Sequence, residues 1–235
     1  DLIFFDADAM TISNVLKSAD HMETFPCWAP DGKTLYYCDA EVKWLTDIPD
    51  STRTENIVMR FDSLRYNVMR LSFDPSTKTF GSPELVIDCA SQGMSAAVPR
   101  VSPDGRYLVY TRSPYGQFHI WHSAADLWIY DLQTGEDHAL TEANSADVDS
   151  YHSWSSNGRW IVVASRRIDG SYSRPFISYF DREGHAHKAF LLPQEDPQHH
   201  QLLMKSYNVP ELTGDRVPYT PEQLKAVIYD DDAMK

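Results

Sequence analysis

The sequence is poor in cysteine and in basic residues, and both deficits limit what the protein does. Its three cysteines, Cys27, Cys38 and Cys89, have neither the number nor the spacing of a disulfide framework or a zinc knuckle. Cys27 and Cys38 are predicted to lie diagonally on one hairpin as small buried side chains. Lys and Arg number 21 against 34 Asp and Glu, which gives a formal net charge of -13. Because binding to a nucleic-acid backbone requires clustered positive charge, this composition argues against a nucleic-acid partner.

Long apolar runs and several catalytic motifs are also missing. No stretch approaches the roughly 18 uninterrupted apolar residues of a transmembrane helix. The chain contains no Gly-x-Ser-x-Gly nucleophile elbow and no His-Glu-x-x-His zinc motif. The sequence therefore predicts no membrane span, and it provides no serine nucleophile of the α/β-hydrolase type.

Aromatic residues are abundant, and they occur in a pattern that repeats. Trp, Tyr and Phe together make up 12% of the chain, and such side chains favour the pleated, half-buried surfaces of β-sheets. Three segments align by eye: residues 25–37, 98–110 and 151–163. Each is a short apolar strand, a tight turn and a longer apolar strand, so the sequence predicts three related β-hairpins.

The turn in each repeat has a chemistry that determines its shape. The three turns are residues 30–33 (Pro-Asp-Gly-Lys), 103–106 (Pro-Asp-Gly-Arg) and 156–159 (Ser-Asn-Gly-Arg). Proline presets φ at about −65° at the first corner, and Asp or Asn hydrogen-bonds to the nearby backbone. Glycine adopts the positive φ that closes the turn. Three such turns in matching context indicate a repeat architecture.

Each hairpin is followed by a second pair of predicted strands, so each unit holds four antiparallel strands. Many strand positions on both faces are apolar, as in a sheet packed between two neighbours. Four-stranded units that repeat radially are the blades of a β-propeller. We therefore predict an all-β propeller with a partial blade over residues 1–23, blades over about 24–90, 97–143 and 150–192, and a tail with short helices over 193–235. The first unit carries an insertion over residues 41–64 and the second a long loop over 114–125.

At these turns the sequence resembles the TolB-like propellers, which are built from the PD40 type of WD40-like repeat. The signature of an aromatic residue, a Pro-Asp-Gly-Lys/Arg turn and a later strand ending in Asp-Leu matches residues 28–33, 102–106 and 127–135. The third repeat departs from it at residues 156–157, where Ser-Asn replaces Pro-Asp, although Asn suits the same turn. The resemblance covers residues 1 to about 192. The tail is similar to the end of TolB-like proteins of Bacteroidetes.

The resemblance implies a ring of six or seven blades in the periplasm or cell envelope that serves as a non-catalytic platform. Its implied partner is a protein or a polymer bound at one propeller face, with no cofactor. Three blades and a partial one are too few to close such a ring, so we expect either that this chain is the C-terminal portion of a longer protein whose N-terminal blades complete it, or that a partner supplies the closure. The same repeat occurs beside peptidase domains and in pectic lyases. The alternative is therefore a metal-dependent pectic-type lyase, or the propeller of a prolyl-oligopeptidase-type peptidase.

Basic residues recur near the ends of the first two strands in the second and third units, and they form the candidate binding site. Innermost strands line the channel of a propeller, and Arg100 and His152 lie on such strands. Arg112, Arg166 and Arg167 lie at the ends of the strands that follow. Together these five residues predict an anion-binding rim. The competing interpretation is that they are solvated side chains paired with the many Asp and Glu residues.

Two histidine pairs have a spacing that metal ligands use. His119 with His122, and His185 with His187, fall in loop or outer-strand positions. We interpret them as surface or loop imidazoles and predict no metal site. The acidic run over residues 230–232 is interpreted as a solvated tail.

The tail contains a clear helix start. Thr220 is followed by Pro221 and, three positions after the threonine, by Gln223, which together form a capping box with proline at the first helical position. A second short helix is predicted over residues 196–205.

Overall fold

The computed structural model describes residues 1–230, most of which belong to antiparallel sheets and their connections. One hairpin and three larger sheets follow one another along the chain. Asp231 and Asp232, which belong to the acidic run of the tail, lie outside the described residues.

Neighbouring strands within each sheet are antiparallel and mostly consecutive along the chain. The hairpin consists of β1 (Leu2–Asp6) and β2 (Thr11–Leu16). The first sheet contains β3 (His21–Trp28), β4 (Thr34–Glu41), β5 (Asn67–Asp74) and two short strands that both pair with β5, β6 (Thr79–Phe80) and β7 (Glu84–Ile87). The second sheet contains β8 (Ser95–Val101), β9 (Tyr107–Ser113), β10 (Asp126–Asp131) and β11 (Asp137–Ala139). The third contains β12 (Asp149–Trp154), β13 (Trp160–Ser165), β14 (Arg174–Tyr179) and β15 (Phe190–Leu191).

The three sheets pack face to face, as strand β9 of the second sheet shows. Leu108 and Tyr110 lie in an apolar core shared with the first sheet, whereas Tyr107 and Val109, on the opposite face, lie in a core shared with the third. Burial of one such side chain contributes about 2 kcal/mol. The innermost strands β3, β8 and β12 contact one another in order. Antiparallel sheets packed in this way are the blades of a propeller, so the predicted all-β propeller fold is confirmed.

The three repeated turns have the predicted geometry. In the first, Oδ1 of Asp31 accepts hydrogen bonds from the backbone N–H groups of Lys33 (2.8 Å) and Thr34 (3.1 Å). In the third, Oδ1 of Asn157 accepts one from the N–H of Arg159 at 3.0 Å, so Asn replaces Asp without loss of the turn. The turn glycines, Gly32, Gly105 and Gly158, have φ values of 63°, 74° and 65°.

A bulge that the sequence analysis did not predict occurs at the same place in each innermost strand. The pairing register shifts within β3, β8 and β12. Phe25, Val98 and Tyr151 lie at these shifts with φ of 52°, 53° and 49°. A side chain with a Cβ in this left-handed region costs roughly 1–2 kcal/mol. Since a bulge bends its strand and redirects the residues after it, the bulges influence where Arg100 and His152 point.

The insertion in the first blade forms helical structure. It contains α1 (Asp50–Met59) between two 3-10 turns, Lys43–Leu45 and Phe61–Ser63. Leu45 and Leu64 bury their side chains in the core between the first and second sheets. The insertion is therefore attached to the blade by its two ends.

The first part of the tail is anchored on the third sheet by one arginine. Arg174, at the start of β14, is 2% exposed. Its guanidinium donates hydrogen bonds to the carbonyl oxygens of His200 (2.9 Å), Leu203 (3.5 Å) and Lys205 (3.5 Å). The first two residues belong to, or directly follow, α2 (His199–Leu202), a helix of four residues within the predicted range. A buried arginine needs these acceptors, so the tail and the blade stabilise each other.

The second part of the tail ends in α3 (Pro221–Ile228), which begins as the sequence predicts. The Thr220 hydroxyl accepts a hydrogen bond from the N–H of Gln223 (3.3 Å), and the Gln223 side chain accepts one from the N–H of Thr220 (2.8 Å). No residue of α3 is buried. The helix is therefore stabilised mainly by its cap and its own backbone hydrogen bonds.

All three cysteines are free thiols. Cys27 is opposite Tyr36 and Cys38 is opposite Thr24, so the two cysteines are offset across the hairpin. Cys38 is fully buried as predicted, whereas Cys27 is only partly buried. Burial raises the pKa of Cys38 and raises that of Cys89 to about 11, which keeps both thiols protonated and unreactive.

Within residues 1–230, no helix combines the length and apolar character that crossing a membrane requires.

Candidate functional site

The structure divides the five predicted rim residues by the partners of their side chains. Arg112 and Arg167 are paired with carboxylates. His152 is buried against the backbone. Arg100 and Arg166 form no ion pair with any carboxylate in residues 1–230. The five therefore do not act as one cluster of free positive charge.

Arg112 is enclosed between the first and second sheets. It is 8% exposed, and its Nη2 donates to the Gln92 side-chain oxygen at 2.6 Å. Its Nη1 lies 3.7 Å from Oδ2 of Asp137, and the guanidinium stacks over Trp128 at 4.3 Å. Through these contacts the Arg112 guanidinium connects neighbouring parts of the fold.

Arg167 has a similar structural role in the third sheet. Its Nη2 lies 2.5 Å from Oδ1 of Asp149, whose side chain is completely buried. The same nitrogen donates to the carbonyl of Ala143, and Nε donates to the hydroxyl of Ser165 at 2.9 Å. A carboxylate this deeply buried requires such a partner, so Arg167 neutralises Asp149.

His152 carries no positive charge near neutral pH, which differs from the expectation that it presents charge to the channel. The residue is 0% exposed, and Nε2 donates a hydrogen bond to the carbonyl of Val109 at 3.0 Å. Burial lowers the pKa of His152 to about 3, because a buried imidazolium loses its hydration. The imidazole therefore links the second and third sheets as a neutral group.

Arg100, on β8, is partly buried and has only local polar contacts. Its Nη1 donates to the carbonyl of Pro99 at 3.2 Å. Its own carbonyl accepts a hydrogen bond from the Trp154 indole at 3.1 Å, which ties β8 to β12.

Arg166 is the predicted residue whose surroundings fit ligand binding best. It follows β13 directly, and its guanidinium carbon lies 4.1 Å from the ring centroid of Trp121. Its Nε is buried without a hydrogen-bond partner in the described part of the chain. Trp121 is 70% exposed, at the end of the 3-10 turn His119–Trp121 in the long loop of the second blade. An aromatic face orients the guanidinium and leaves its N–H groups available for an acceptor.

The stacked pair lines a cavity of about 160 Å³. Tyr151 and Ser173 contribute from the third sheet, and Ser206, Tyr207 and Asn208 contribute from the tail. The tail is attached here by a hydrogen bond from the Tyr207 N–H to the Ser173 carbonyl at 3.0 Å. The cavity thus combines a guanidinium that forms no ion pair in residues 1–230, aromatic surface and polar residues, which suits a ligand with a carboxylate. The Asp169 carboxylate interacts with Arg166 from beyond ion-pair distance.

Sequence reasoning found Arg166 but missed Trp121 and the tail residues. The available signal was a tryptophan within a loop that is longer than a blade requires. The contribution of the tail to the cavity depends on long-range packing, which no local sequence pattern predicts.

The histidine pairs occupy different environments. His185 and His187 lie at the surface, where both rings approach the Asp181 carboxylate at 3.3 and 3.4 Å. His119 is fully buried and donates from Nε2 to the carbonyl of Gly116 at 3.0 Å, so it is a loop imidazole, as one of the two predicted alternatives has it, but does not lie at the surface. Burial lowers its pKa to about 3. In residues 1–230 no three His, Cys, Asp or Glu side chains are grouped so that they hold a metal ion.

Comparison with other proteins shows a similarity of fold. Neither protein-family models nor curated proteins match the chain. Among solved structures, oligogalacturonate lyase in complex with manganese is 14% identical, with a TM-score of 0.51 over 80% of this chain and 47% of that one. TolB from Acinetobacter baumannii is 19% identical, with a TM-score of 0.34 over 79% of this chain and 47% of that one.

A third similar structure is the β-propeller domain of the Trilobed protease from Pyrococcus furiosus. It is 14% identical, with a TM-score of 0.42 over 77% of this chain and 46% of that one. This chain thus spans just under half the length of each of the three proteins. Identities this low concern the fold alone. The chain therefore has a β-propeller fold.

Proposed function

We propose that this chain is a non-catalytic binding module that takes a carboxylate-bearing segment of a protein partner in the Arg166–Trp121 cavity. The observation that carries the proposal is a guanidinium without a carboxylate partner, stacked on an exposed indole beside a cavity of about 160 Å³. The resemblance of the repeated turns to TolB-like propellers agrees with a binding role and with a location in the periplasm or cell envelope.

The chemistry of the cavity favours an acidic ligand. Arg112 and Arg167 are already paired with carboxylates, whereas Arg166 forms no ion pair in residues 1–230 and lines the cavity. An Arg–carboxylate contact is charge-assisted and often bidentate. Tryptophan and arginine are also the residues that dominate the energy of many interfaces. Because the chain has a net charge of -13, an acidic partner is repelled at long range, and affinity comes from the local contact.

The test is calorimetric titration with an acetylated tetraglutamate peptide. Tetraglutamine is the neutral control, and oligogalacturonate represents an acidic polymer. We expect tetraglutamate to bind, with at least tenfold weaker binding by Arg166→Gln and by Trp121→Ala. The exposed residue Arg182 offers the matched control Arg182→Gln. Equal binding of tetraglutamine, or unchanged tetraglutamate binding by Arg166→Gln, contradicts the proposal. Tighter binding of oligogalacturonate than of tetraglutamate indicates that the ligand is an acidic polymer and not a protein.

The enzymatic alternative has its own assay. A pectic-type lyase converts oligogalacturonate to unsaturated products, which are measured by ultraviolet absorbance with and without Mn²⁺. Metal-dependent product formation by this chain replaces the binding proposal with the lyase.

A further inference from the structure

A second cavity, of about 180 Å³, lies beside the start of β3 and has an acidic character. Its lining includes Glu23 of β3, Asp39 of β4, His21, Lys17, Tyr37 and Met69. It shares no lining residue with the Arg166 cavity, so ligand binding in this cavity is tested independently of binding at Arg166.

Two carboxylates face each other in this cavity. Glu23 is directly opposite Asp39 in the pairing of β3 with β4. The Glu23 side chain is 3% exposed and the Asp39 side chain 12% exposed. Like charges opposite one another destabilise a sheet, and burial increases the effect because water screens them less. Burial raises the pKa of Asp39, and the neighbouring Glu23 raises it further. The pair is therefore under electrostatic strain that a cation relieves.

The other two blades avoid this conflict at the same place in the repeat. Counted from the turn glycine, Glu23 corresponds to Ala96 and to Asp149. Ala96 is opposite Arg112, and Asp149, which is opposite Ser165, is neutralised by Arg167. Each of these blades supplies an arginine near this position, whereas the first blade supplies a second carboxylate. The first blade thus lacks the arginine that the other two blades have near this position.

The groups already present neutralise the pair only in part. The Nδ1 of His21 lies 2.9 Å from Oδ2 of Asp39. Partial burial opposes protonation of His21, but this hydrogen bond and the nearby carboxylates raise its pKa above 6.5. Oε2 of Glu23 is buried and accepts no hydrogen bond in the described part of the chain; the backbone nitrogen of Asp1 lies 3.1 Å away. Lys17 lines the cavity but forms no ion pair in the described part of the chain.

We propose that the Glu23–Asp39 cavity binds a primary ammonium group, presented by a lysine side chain of a partner protein. The two carboxylates accept hydrogen bonds from the ammonium. Tyr37, Met69 and Leu16, which also line the cavity, pack against the methylene stem. A metal ion fits less well, since no ligand cluster for one occurs in residues 1–230.

The test is nuclear magnetic resonance of the full chain labelled with ¹³C at the methionine methyl groups. Met69 lines the cavity, and Met204, which is 79% exposed in the tail, is the internal control. The probe is N-acetyl-lysine methylamide, and N-acetyl-norleucine methylamide is the neutral analogue of nearly the same shape. We expect the lysine derivative to give a saturable shift of the Met69 signal, while the Met204 signal stays in place.

The variants Glu23→Gln and Asp39→Asn are expected to weaken lysine binding at least tenfold. Both remove one of two repelling charges, so they are not expected to unfold the chain. Lys17→Gln removes a competing ammonium and is expected to bind the probe at least as tightly as the wild type. Equal shifts with the norleucine derivative, or wild-type affinity in both carboxylate variants, overturn the proposal. Failure of tetraglutamate binding at Arg166 leaves this result unaffected, because the two cavities are separate.

Discussion

Two buried histidines are expected to lower the free energy of unfolding of this protein in mild acid. His119 and His152 are both fully buried, and each donates one hydrogen bond to a backbone carbonyl, of Gly116 and Val109 respectively. Burial lowers the pKa of each to about 3 from 6.5. Each imidazole is therefore neutral in the folded protein over the range in which an exposed histidine becomes charged.

The size and sign of the effect follow from proton linkage. Below pH 6.5 the unfolded chain binds protons at both positions and the folded chain does not. The free energy of unfolding therefore falls as the pH falls from about 6.5 towards about 3. One pKa unit corresponds to about 1.4 kcal/mol, so at pH 5.0 each histidine lowers stability by about 2 kcal/mol and the pair by about 4 kcal/mol. His21, whose pKa is raised, acts in the opposite sense, and its stabilisation is lost as the pH rises above 6.5.

The assay is urea unfolding at pH 7.5 and pH 5.0 for the wild type, His119→Gln and His152→Gln. Glutamine keeps an N–H donor but does not titrate, and contributions from His21 and the carboxylates cancel in the comparison. We expect each variant to lose about 2 kcal/mol less than the wild type between the two pH values. His138→Gln, at an exposed position of β11, is the matched control for removal of an imidazole. Parallel losses in the wild type and both variants refute the reasoning.

Three further substitutions test the packing of the blades and the tail. Arg167→Met leaves the buried Asp149 carboxylate without its cation. It is expected to lower the free energy of unfolding in urea by about 3 kcal/mol, and adding Asp149→Leu is expected to restore it. An unchanged urea midpoint in the single variant contradicts this. Gly184→Ala is expected to lower the melting temperature more than Gly32→Ala. Both glycines have positive φ, but only at Gly184 does an added Cβ meet another side chain, the Tyr107 hydroxyl at 2.8 Å. Thr220→Ala is expected to reduce the helical circular dichroism of α3 by removing its cap, with little change in global unfolding because α3 is exposed; a large loss of global stability argues against this account.

The parts of the fold that local chemistry determines were predictable. The turn at Asp31 and Gly32 forms because an Asp side chain and a positive-φ glycine suit one tight geometry. The cap at Thr220 forms for the same kind of local reason. Apolar residues on both faces of β9 likewise indicated a sheet between two neighbours.

The parts that depend on distant partners were not predictable from a pattern. Arg112, Arg166 and Arg167 look alike in the sequence, but two pair with carboxylates and the third, Arg166, stacks on an indole without an ion pair in residues 1–230. His152 lies on the predicted innermost strand, yet its complete burial depends on the packing of two sheets. Charge at such positions follows from burial and from the partner across the interface, neither of which the spacing of residues contains.

The anchoring of the tail by Arg174 has a consequence for ligand affinity. Ser206, Tyr207 and Asn208 line one side of the Arg166 cavity, so a ligand that contacts them binds to the docked tail and not to a detached one. Linkage then requires that ligand binding and tail docking strengthen each other by the same free energy. If the proposed ligand binds at Arg166, a protease that cuts between the tail and the third sheet is expected to be slowed by saturating ligand, and a chain cleaved there is expected to bind that ligand less tightly.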